Sequence, residues 1–234
     1  SEGRSIFRNI RSFLRYLLSS NAGEVLTMFF GVTLATVIGL EVGADAIVAP
    51  ITATQILWIN LLTDTGPALA LGVDPPDRRL MLLPPRTQGE RVIDGAMRRG
   101  IGLVGLTMAI ITLLMFDAHR PNGLIEGTGS IEEARTAAFT VLVLAQLFNC
   151  FSARSDYASA FGGWSSNRWL LGAVALATAL QVFVVHVPFM NDAFSTEPLS
   201  PLTWVAAFLL ASAVLWVAEL RKLLRRRGAA VETI

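Results

Sequence analysis

Carboxylate and amide side chains interrupt two long apolar runs of this sequence. In the first run, Glu24 stands alone as a carboxylate between Arg15 and Glu41, and Asn21 precedes it by three residues. Residues three apart share one face of an α-helix. A carboxylate inside an apolar helix costs about 2.5–3.5 kcal/mol on insertion scales and usually faces a bundle interior or an ion path. We therefore predict that Asn21 and Glu24 offer oxygen ligands to a cation.

The second apolar run repeats this pattern with Asn60, Thr63 and Asp64, which again share one helix face. Pro67 has no N–H to donate to the carbonyl of Thr63, and Gly66 beside it loosens the backbone. We expect the helix to kink or unwind at the acidic residue. Broken helices at membrane depth are tolerated where they line a cavity, and their freed carbonyls can coordinate cations.

Together these residue types match the ligands of a hard cation. Calcium takes roughly six to eight oxygens from carboxylates, amides and backbone carbonyls. Each amide or hydroxyl alone is more often a hydrogen-bonding group between helices, and a lone carboxylate can be a neutral structural group. The similar depth of Glu24 and Asp64 favours an ion site. Gln146 and Asn149, three apart in a later run, are by themselves more typical of helix packing than of ligation.

The elements that must position these residues are membrane helices. The 234 residues are 53% hydrophobic and only 16% charged, with a mean hydropathy of +0.55, which is too apolar for an ordinary soluble domain. The net charge of +1 gives no indication of a nucleic-acid partner. The single cysteine, Cys150, excludes an intrachain disulfide.

Six segments are long and apolar enough to cross a bilayer, which needs about 20 residues each. The predicted fold is therefore an all-α membrane protein with six transmembrane helices. The predicted spans cover residues 13–40, 50–72, 96–117, 135–153, 168–188 and 202–220.

The basic residues predict the orientation of these spans. Of the 19 Lys and Arg residues, only Arg120 and Arg135 fall on the predicted outer side. By the positive-inside rule, both termini of this multi-pass protein are cytoplasmic. All basic residues except Lys222 are Arg, which is typical of a GC-rich genome. We expect the protein to lie in a bacterial plasma membrane.

The regular spacing of arginines before the first span predicts a helix that continues out of the membrane as a cytoplasmic stalk, residues 1–15. A basic segment that only anchors the helix at the membrane surface is the open alternative. In chain order, the remaining predicted parts are an ion-binding helix pair (13–72), a cytoplasmic loop (73–95), a four-helix supporting bundle (96–220) and a cytoplasmic basic tail (221–234).

Several motifs follow one another along the first 95 residues. Glu-Gly-Arg at 2–4, Arg-Tyr-Leu at 15–17 and Ser-Ser-Asn-Ala-Gly-Glu-Val at 19–25 precede Trp-Ile-Asn-Leu-Leu-Thr-Asp at 58–64, and Pro-Pro pairs follow at 75–76 and 84–85. This series resembles the fifth helix with its stalk, the sixth helix and the following loop of the calcium-pump branch of P-type cation-transporting ATPases, typified by the sarcoplasmic reticulum calcium pump. The resemblance is tight up to residue 95 and looser beyond it.

The resemblance implies that the chain corresponds to helices five to ten of a ten-helix membrane domain. The metal ligands that it implies are Asn21, Glu24, Asn60, Thr63, Asp64 and Gln146. Asp64 would bridge two calcium sites, and the remaining ligands of the second site would lie outside this chain. Reticulum pumps carry Glu where Gln146 stands, so a negative charge is missing and one or two ions per cycle both stay open.

The resemblance also implies what other parts of such a pump supply. The phosphorylated aspartate of the family, in an Asp-Lys-Thr-Gly-Thr context, is not in this sequence, so no catalytic residue is predicted here. ATP and magnesium would bind to domains outside the chain. The implied partners are the lipid bilayer, helices one to four, and the actuator, phosphorylation and nucleotide domains of the same pump. The chain begins without Met or a signal peptide, and we expect an internal fragment.

The predicted function is the membrane-embedded cation-binding and translocation region of an ATP-driven pump that exports calcium from the cytoplasm. Two alternatives stay open: an ATP-independent secondary cation transporter or channel, and a structural half-pump fragment. Because oxygen ligands suit several hard ions, manganese and sodium also stay open as the transported ion.

Overall fold

The structure, a computed structural model, is all-helical in the residues that it describes, with no strand among them. These residues are 2–34, 49–75, 92–120, 124–125, 127, 129–155, 157–162 and 166–231. The predicted all-α fold is therefore confirmed for this part of the chain. Residues 76–91 of the predicted cytoplasmic loop lie outside the described residues.

The first helix, α1, runs without interruption over Glu2–Thr33. Its burial pattern is the reverse of that of a helix in a soluble protein. The polar side chains of Ser20 and Glu24 are buried, whereas the apolar side chains of Val25 and Phe29 are exposed. Such a helix turns polar groups toward the protein and apolar groups toward lipid or further helices. The first predicted span extends to residue 40, beyond the part of α1 that is described.

The second predicted span is a broken helix. It consists of α2 (Ala53–Trp58), a π-helical turn (Ile59–Thr63) and α3 (Thr65–Gly72). The N–H of Asp64 donates to the carbonyl of Ile59, five residues back, at 2.9 Å. A kink or unwinding was expected at Asp64, and the irregular turn lies directly before this residue. An inserted π turn widens the helix by one residue and commonly occurs at functional sites.

Five further helices complete the described chain. They are α4 (Gly95–His119), α5 (Ile131–Ala153), α6 (Arg168–His186), the short α7 (Pro188–Phe194) and α8 (Pro201–Val231). The helix α7 lies in a region predicted as a connection, and α8 continues through most of the predicted basic tail.

Capping side chains fix the starts of α4, α5 and α6, among other helices. Asp94 accepts a hydrogen bond from the N–H of Met97 at the start of α4, and Ser130 caps α5 in the same way. Asn167 caps α6 through the N–H of Leu170. Each cap satisfies a backbone donor that a helix leaves free in its first turn.

Four of the described helices are long and apolar enough to span a membrane. They cover Gly95–His119, Ile131–Ala153, Arg168–His186 and Pro201–Arg226. The chain is thus a multi-pass membrane protein, but the predicted count of six spans is not confirmed. The first predicted span is less apolar because it contains polar residues such as Ser19, Asn21 and Glu24, and the second is divided into short pieces.

Helix α5 lies at the centre of the described chain and contacts α1, α3, α4, α6 and α8. The most extensive helix–helix contact in the described chain is between α1 and α4. Glycines at the crossing allow the two helices to approach closely. A Cβ on Gly105 of α4 would lie 2.8 Å from the Cβ of Ala22, and a Cβ on Gly23 would lie 2.8 Å from the sulfur of Met108. Small residues at such crossings let membrane helices approach closely.

Candidate cation site

Glu24 is the point where three segments meet. Its carboxylate is buried, and its two oxygens accept hydrogen bonds from two amides on other helices. Asn60 Nδ2 donates to Oε2 at 2.7 Å from the π-helical turn, and Gln146 Nε2 donates to Oε1 at 2.8 Å from α5. Three of the predicted ligands, Glu24, Asn60 and Gln146, therefore lie together. Asn60 and Gln146 are 36 and 122 positions from Glu24 in the sequence.

Asp64, the other predicted carboxylate, is held from α1 as well. The hydroxyl of Tyr16 donates to Asp64 Oδ1 at 2.7 Å. The second oxygen, Oδ2, is buried and has no hydrogen-bond partner among the described residues. Glu24 lies within electrostatic range of Asp64, so α1 contributes to the surroundings of both carboxylates.

The π-helical turn determines where Asn60 and Asp64 point. Because the turn contains one residue more than an α-helical turn, it shifts the face of α3 relative to that of α2. Asn60 then reaches Glu24 while its own carbonyl accepts a hydrogen bond from the hydroxyl of Thr65. The sequence predicted a break near this acidic residue, and the break serves to direct both side chains toward α1.

Two predicted ligands do not join this group. Thr63 is fully buried, but its hydroxyl donates to the carbonyl of Ile59 within its own turn, at 3.0 Å. Asn21 is on an exposed part of α1, one helical turn before Glu24. Their assignment as ligands stays a prediction.

Tyr16 is the residue of this site to which sequence reasoning assigned no role. It is fully buried and contacts Asp64 directly. A signal existed: Tyr16, Ser20 and Glu24 recur every four residues and so form one polar stripe along α1. Asn149, by contrast, behaves as its pattern suggested, since its Nδ2 donates to Ser19 Oγ at 2.7 Å and joins α5 to α1.

The arrangement offers oxygen atoms to a hard cation. No group of three His, Cys, Asp or Glu side chains lies close enough to hold a metal within the described ranges. The candidate site instead combines two carboxylates with amides. Gln146 Oε1, like Asp64 Oδ2, is a buried oxygen without a hydrogen-bond partner in the described part of the chain. Buried acceptors of this kind require an explanation, and a cation is one.

Comparison with known proteins gives concordant matches. Residues 48–224 match the family described as "Cation transporting ATPase, C-terminus". The calcium-transporting ATPase of Bacillus subtilis is 35% identical over 224 residues, which cover 92% of this chain and 23% of that protein. Mouse calcium-transporting ATPase type 2C member 2 is 36% identical over 226 residues, covering 95% and 22%.

A third relative is the probable cation-transporting ATPase F of Mycobacterium tuberculosis. It is 33% identical over 226 residues, which cover 96% of this chain and 23% of that protein. The chain thus spans less than a quarter of the length of these three relatives.

Proposed function

We propose that this chain, which belongs to the family of cation-transporting ATPase C-terminal regions, forms the cation-binding and translocation part of an ATP-driven pump. The observation that carries the proposal is the meeting of Glu24 with Asn60 and Gln146, next to Asp64. Two buried carboxylates on neighbouring helices are costly in a membrane unless they serve a path or site for ions.

The proposed transported ion is calcium, exported from the cytoplasm. The relatives named as calcium-transporting ATPases support this choice, and so does a donor set made of oxygen atoms. The proposed ligands are Asn21, Glu24, Asn60, Thr63, Asp64 and Gln146. ATP and magnesium bind to domains outside this chain, as the length of the relatives suggests.

The amides would have to turn for a cation to bind between them and Glu24. Asn60 and Gln146 now present N–H groups to Glu24, and an N–H cannot ligate a cation. Rotation of each amide by half a turn would present its oxygen instead. For a cation bound directly between Glu24 and these amides, the present hydrogen bonds and ligation are therefore alternative states, whereas Gln146 Oε1 can face a cation without this rotation.

The proposed cycle uses α1 as the moving part. Phosphorylation of an aspartate upstream of this chain moves the cytoplasmic stalk, residues 1–15, and the motion disturbs Glu24 and Asp64. The ion affinity falls and the site opens to the outside. Protons then return on the emptied carboxylates, since a charged carboxylate without a partner is costly in the membrane. Both termini face the cytoplasm, as the distribution of arginines indicates.

ATP-driven calcium uptake into inverted membrane vesicles tests this function. Vesicles that contain the full-length protein should accumulate radioactive calcium only when ATP and magnesium are supplied. Uptake driven by an ion gradient without ATP would favour a secondary transporter instead. Vesicles with Asp64→Asn serve as the control for background uptake.

A further inference from the structure

A second cluster of buried polar side chains surrounds the carboxylate of Asp74. It lies far from the candidate cation site, at the end of the bundle where α3 ends. Asp74 follows α3 by two residues, and its side chain is only 5% exposed. Arg154, at the end of α5, donates to both of its oxygens, from Nη2 at 2.9 Å and from Nε at 3.2 Å. Such a bidentate ion pair is stronger, and restricts the geometry more, than a single hydrogen bond.

Helix α6 joins the same carboxylate through its first capping residue. Asn167 Nδ2 donates to Asp74 Oδ1 at 2.9 Å and to the carbonyl of Ala70 at 2.8 Å. Asn167 also caps α6 with its own oxygen. One amide therefore connects the end of α3 to the beginning of α6.

Helix α1 is attached to this cluster by its own side chains. Asn9 Nδ2 donates to the carbonyls of Gly72 at 3.2 Å and Asp74 at 2.9 Å. Arg8 donates to the carbonyl of Pro75 at 2.6 Å. We call the group of Asp74, Arg154, Asn167 and Asn9 the Asp74 clamp.

The clamp joins the three segments that carry the candidate ligands. Glu24 is on α1, Asp64 directly precedes α3, and Gln146 is on α5. At about 1.5 Å of rise per residue, Asp74 lies roughly 15 Å from Asp64 along the chain direction, too far for direct contact. The clamp can act on the ligands only through the helices that join them.

We propose that Asp74 is a positioning residue for the cation site. Its carboxylate holds Arg154 and Asn167, and its backbone carbonyl accepts from Asn9, so the clamp fixes how α1, α3 and α5 are placed relative to one another. This sets the geometry in which Glu24, Asp64 and Gln146 meet a cation. The inference rests on the proposed function and adds the group that controls the geometry of its site.

Direct calcium binding to the purified full-length protein tests the proposal without requiring ATP hydrolysis. Asp74→Asn keeps the size of the side chain but removes the negative charge that forms the ion pair with Arg154. We expect calcium to bind about three- to thirtyfold more weakly, the range found for substitutions that act on a site from a distance. If this variant fails to fold, Arg154→Lys is used, which keeps the charge but loses the two-pronged geometry.

The matched control breaks another ion pair of α1. Arg11 Nη2 lies 2.7 Å from Asp94 Oδ2, and this pair joins α1 to the start of α4, which carries no candidate ligand. Arg11→Gln should leave calcium affinity within twofold of the wild-type value. Equal weakening in Arg11→Gln and Asp74→Asn would show a general loss of structure and overturn the positioning role.

The wild-type protein decides the proposed function separately. If it binds neither calcium nor manganese nor sodium, the proposed function fails whatever the variants do. A double-mutant cycle of thermal unfolding temperatures with Asp74→Asn and Arg154→Gln then tests the clamp itself. Non-additive shifts support it, whereas additive shifts contradict it. If the wild type binds calcium and Asp74→Asn binds it equally well, the positioning role alone is wrong.

Discussion

The hydroxyl of Tyr16 donates a hydrogen bond of 2.7 Å to Asp64 Oδ1, although the two residues are 48 positions apart in the sequence. Both side chains are buried, and the other oxygen of Asp64 has no partner among the described residues. Tyr16 thus fixes the direction of one carboxylate oxygen, and the other is the oxygen that the proposed function assigns to a cation. This makes Tyr16 the group that orients the central proposed ligand.

Replacing Tyr16 by Phe should weaken cation binding. The ring keeps its packing, but Asp64 loses the donor that fixes its orientation. Loss of such a partner typically lowers metal affinity about 10- to 100-fold, and we expect a value near the lower end. Equilibrium binding of calcium to the full-length protein measures the change.

Tyr157→Phe is the matched control. Tyr157 is exposed, and its hydroxyl accepts a hydrogen bond from Arg225 far from the carboxylates. Its replacement should leave calcium binding unchanged. Similar affinities for wild type and Tyr16→Phe would show that the bond to Asp64 has no role in ion binding.

Replacing Gln146 by Glu should make the ion-free protein less stable and its stability dependent on calcium. Gln146 Nε2 lies 2.8 Å from Glu24 Oε1, so a second carboxylate there would face the first. Repulsion between buried like charges should cost about 1–3 kcal/mol, and a divalent cation between them should restore it. Thermal unfolding with calcium and with a chelator measures both effects.

The control for this substitution is Gln181→Glu. Gln181 is also fully buried, on α6, but its Nε2 donates to the hydroxyl of Thr140 rather than to a carboxylate. A new carboxylate at this position should be destabilising with or without calcium. Calcium rescue of both variants alike would mean that the stabilisation does not come from the pair of Glu24 and residue 146.

The sequence predicted the polar residues of the site better than their contacts. Glu24 was recognisable because a carboxylate in an apolar run is costly, and Gln146 because the chain resembles a known family. The hydrogen bond from Tyr16 could not be predicted, since it depends on how α1 lies against the broken helix. The sequence predicted a kink or unwinding at Asp64, but not that it is a π-helical turn, because local sequence does not determine which turn widens.

The Asp74 clamp could not be predicted from the sequence either. Its members come from four separate segments of the chain, and none of them forms a motif by spacing. Asp74 reads in the sequence as an ordinary loop residue before Pro75. Only the packing of the helix ends shows that it is buried and bound by Arg154.

Gly105→Ala should destabilise the contact of α1 with α4. The added Cβ would lie 2.8 Å from the Cβ of Ala22 and 3.1 Å from the backbone of α1, so a helix would have to shift. Overpacking of this kind costs about 1–3 kcal/mol. Gly102→Ala on the same helix adds a Cβ with nothing within 4 Å and should be neutral or stabilising by up to about 1 kcal/mol. Equal unfolding temperatures for the two variants would contradict the close crossing.

Asp94 should make stability depend on acid pH. Burial raises the pKa of Asp94, but hydrogen bonds from the N–H of Met97 and from Arg11, with the charges of Arg11 and Arg225, outweigh it and leave the pKa below its usual value of about 4. Because the folded pKa is lowered, the stabilisation is present above the unfolded pKa and is lost as the pH falls through the folded one.

The comparison with Asp94→Asn measures this effect, because Asn is also a good helix cap. The unfolding temperature of the wild type should exceed that of the variant at pH 6, and the difference should shrink toward about pH 3 as Asp94 protonates. A difference that stays constant over this range would show that the charge of Asp94 does not contribute.

The most direct test of the proposed pump is phosphoenzyme formation from ATP by the full-length protein in membranes. Calcium, manganese and sodium are titrated in turn, for the wild type and for Asp64→Asn. We predict that calcium drives labelling of the wild type and that Asp64→Asn no longer responds to it. Labelling that ignores calcium would contradict calcium as the ion, and no labelling with any ion would contradict the pump itself.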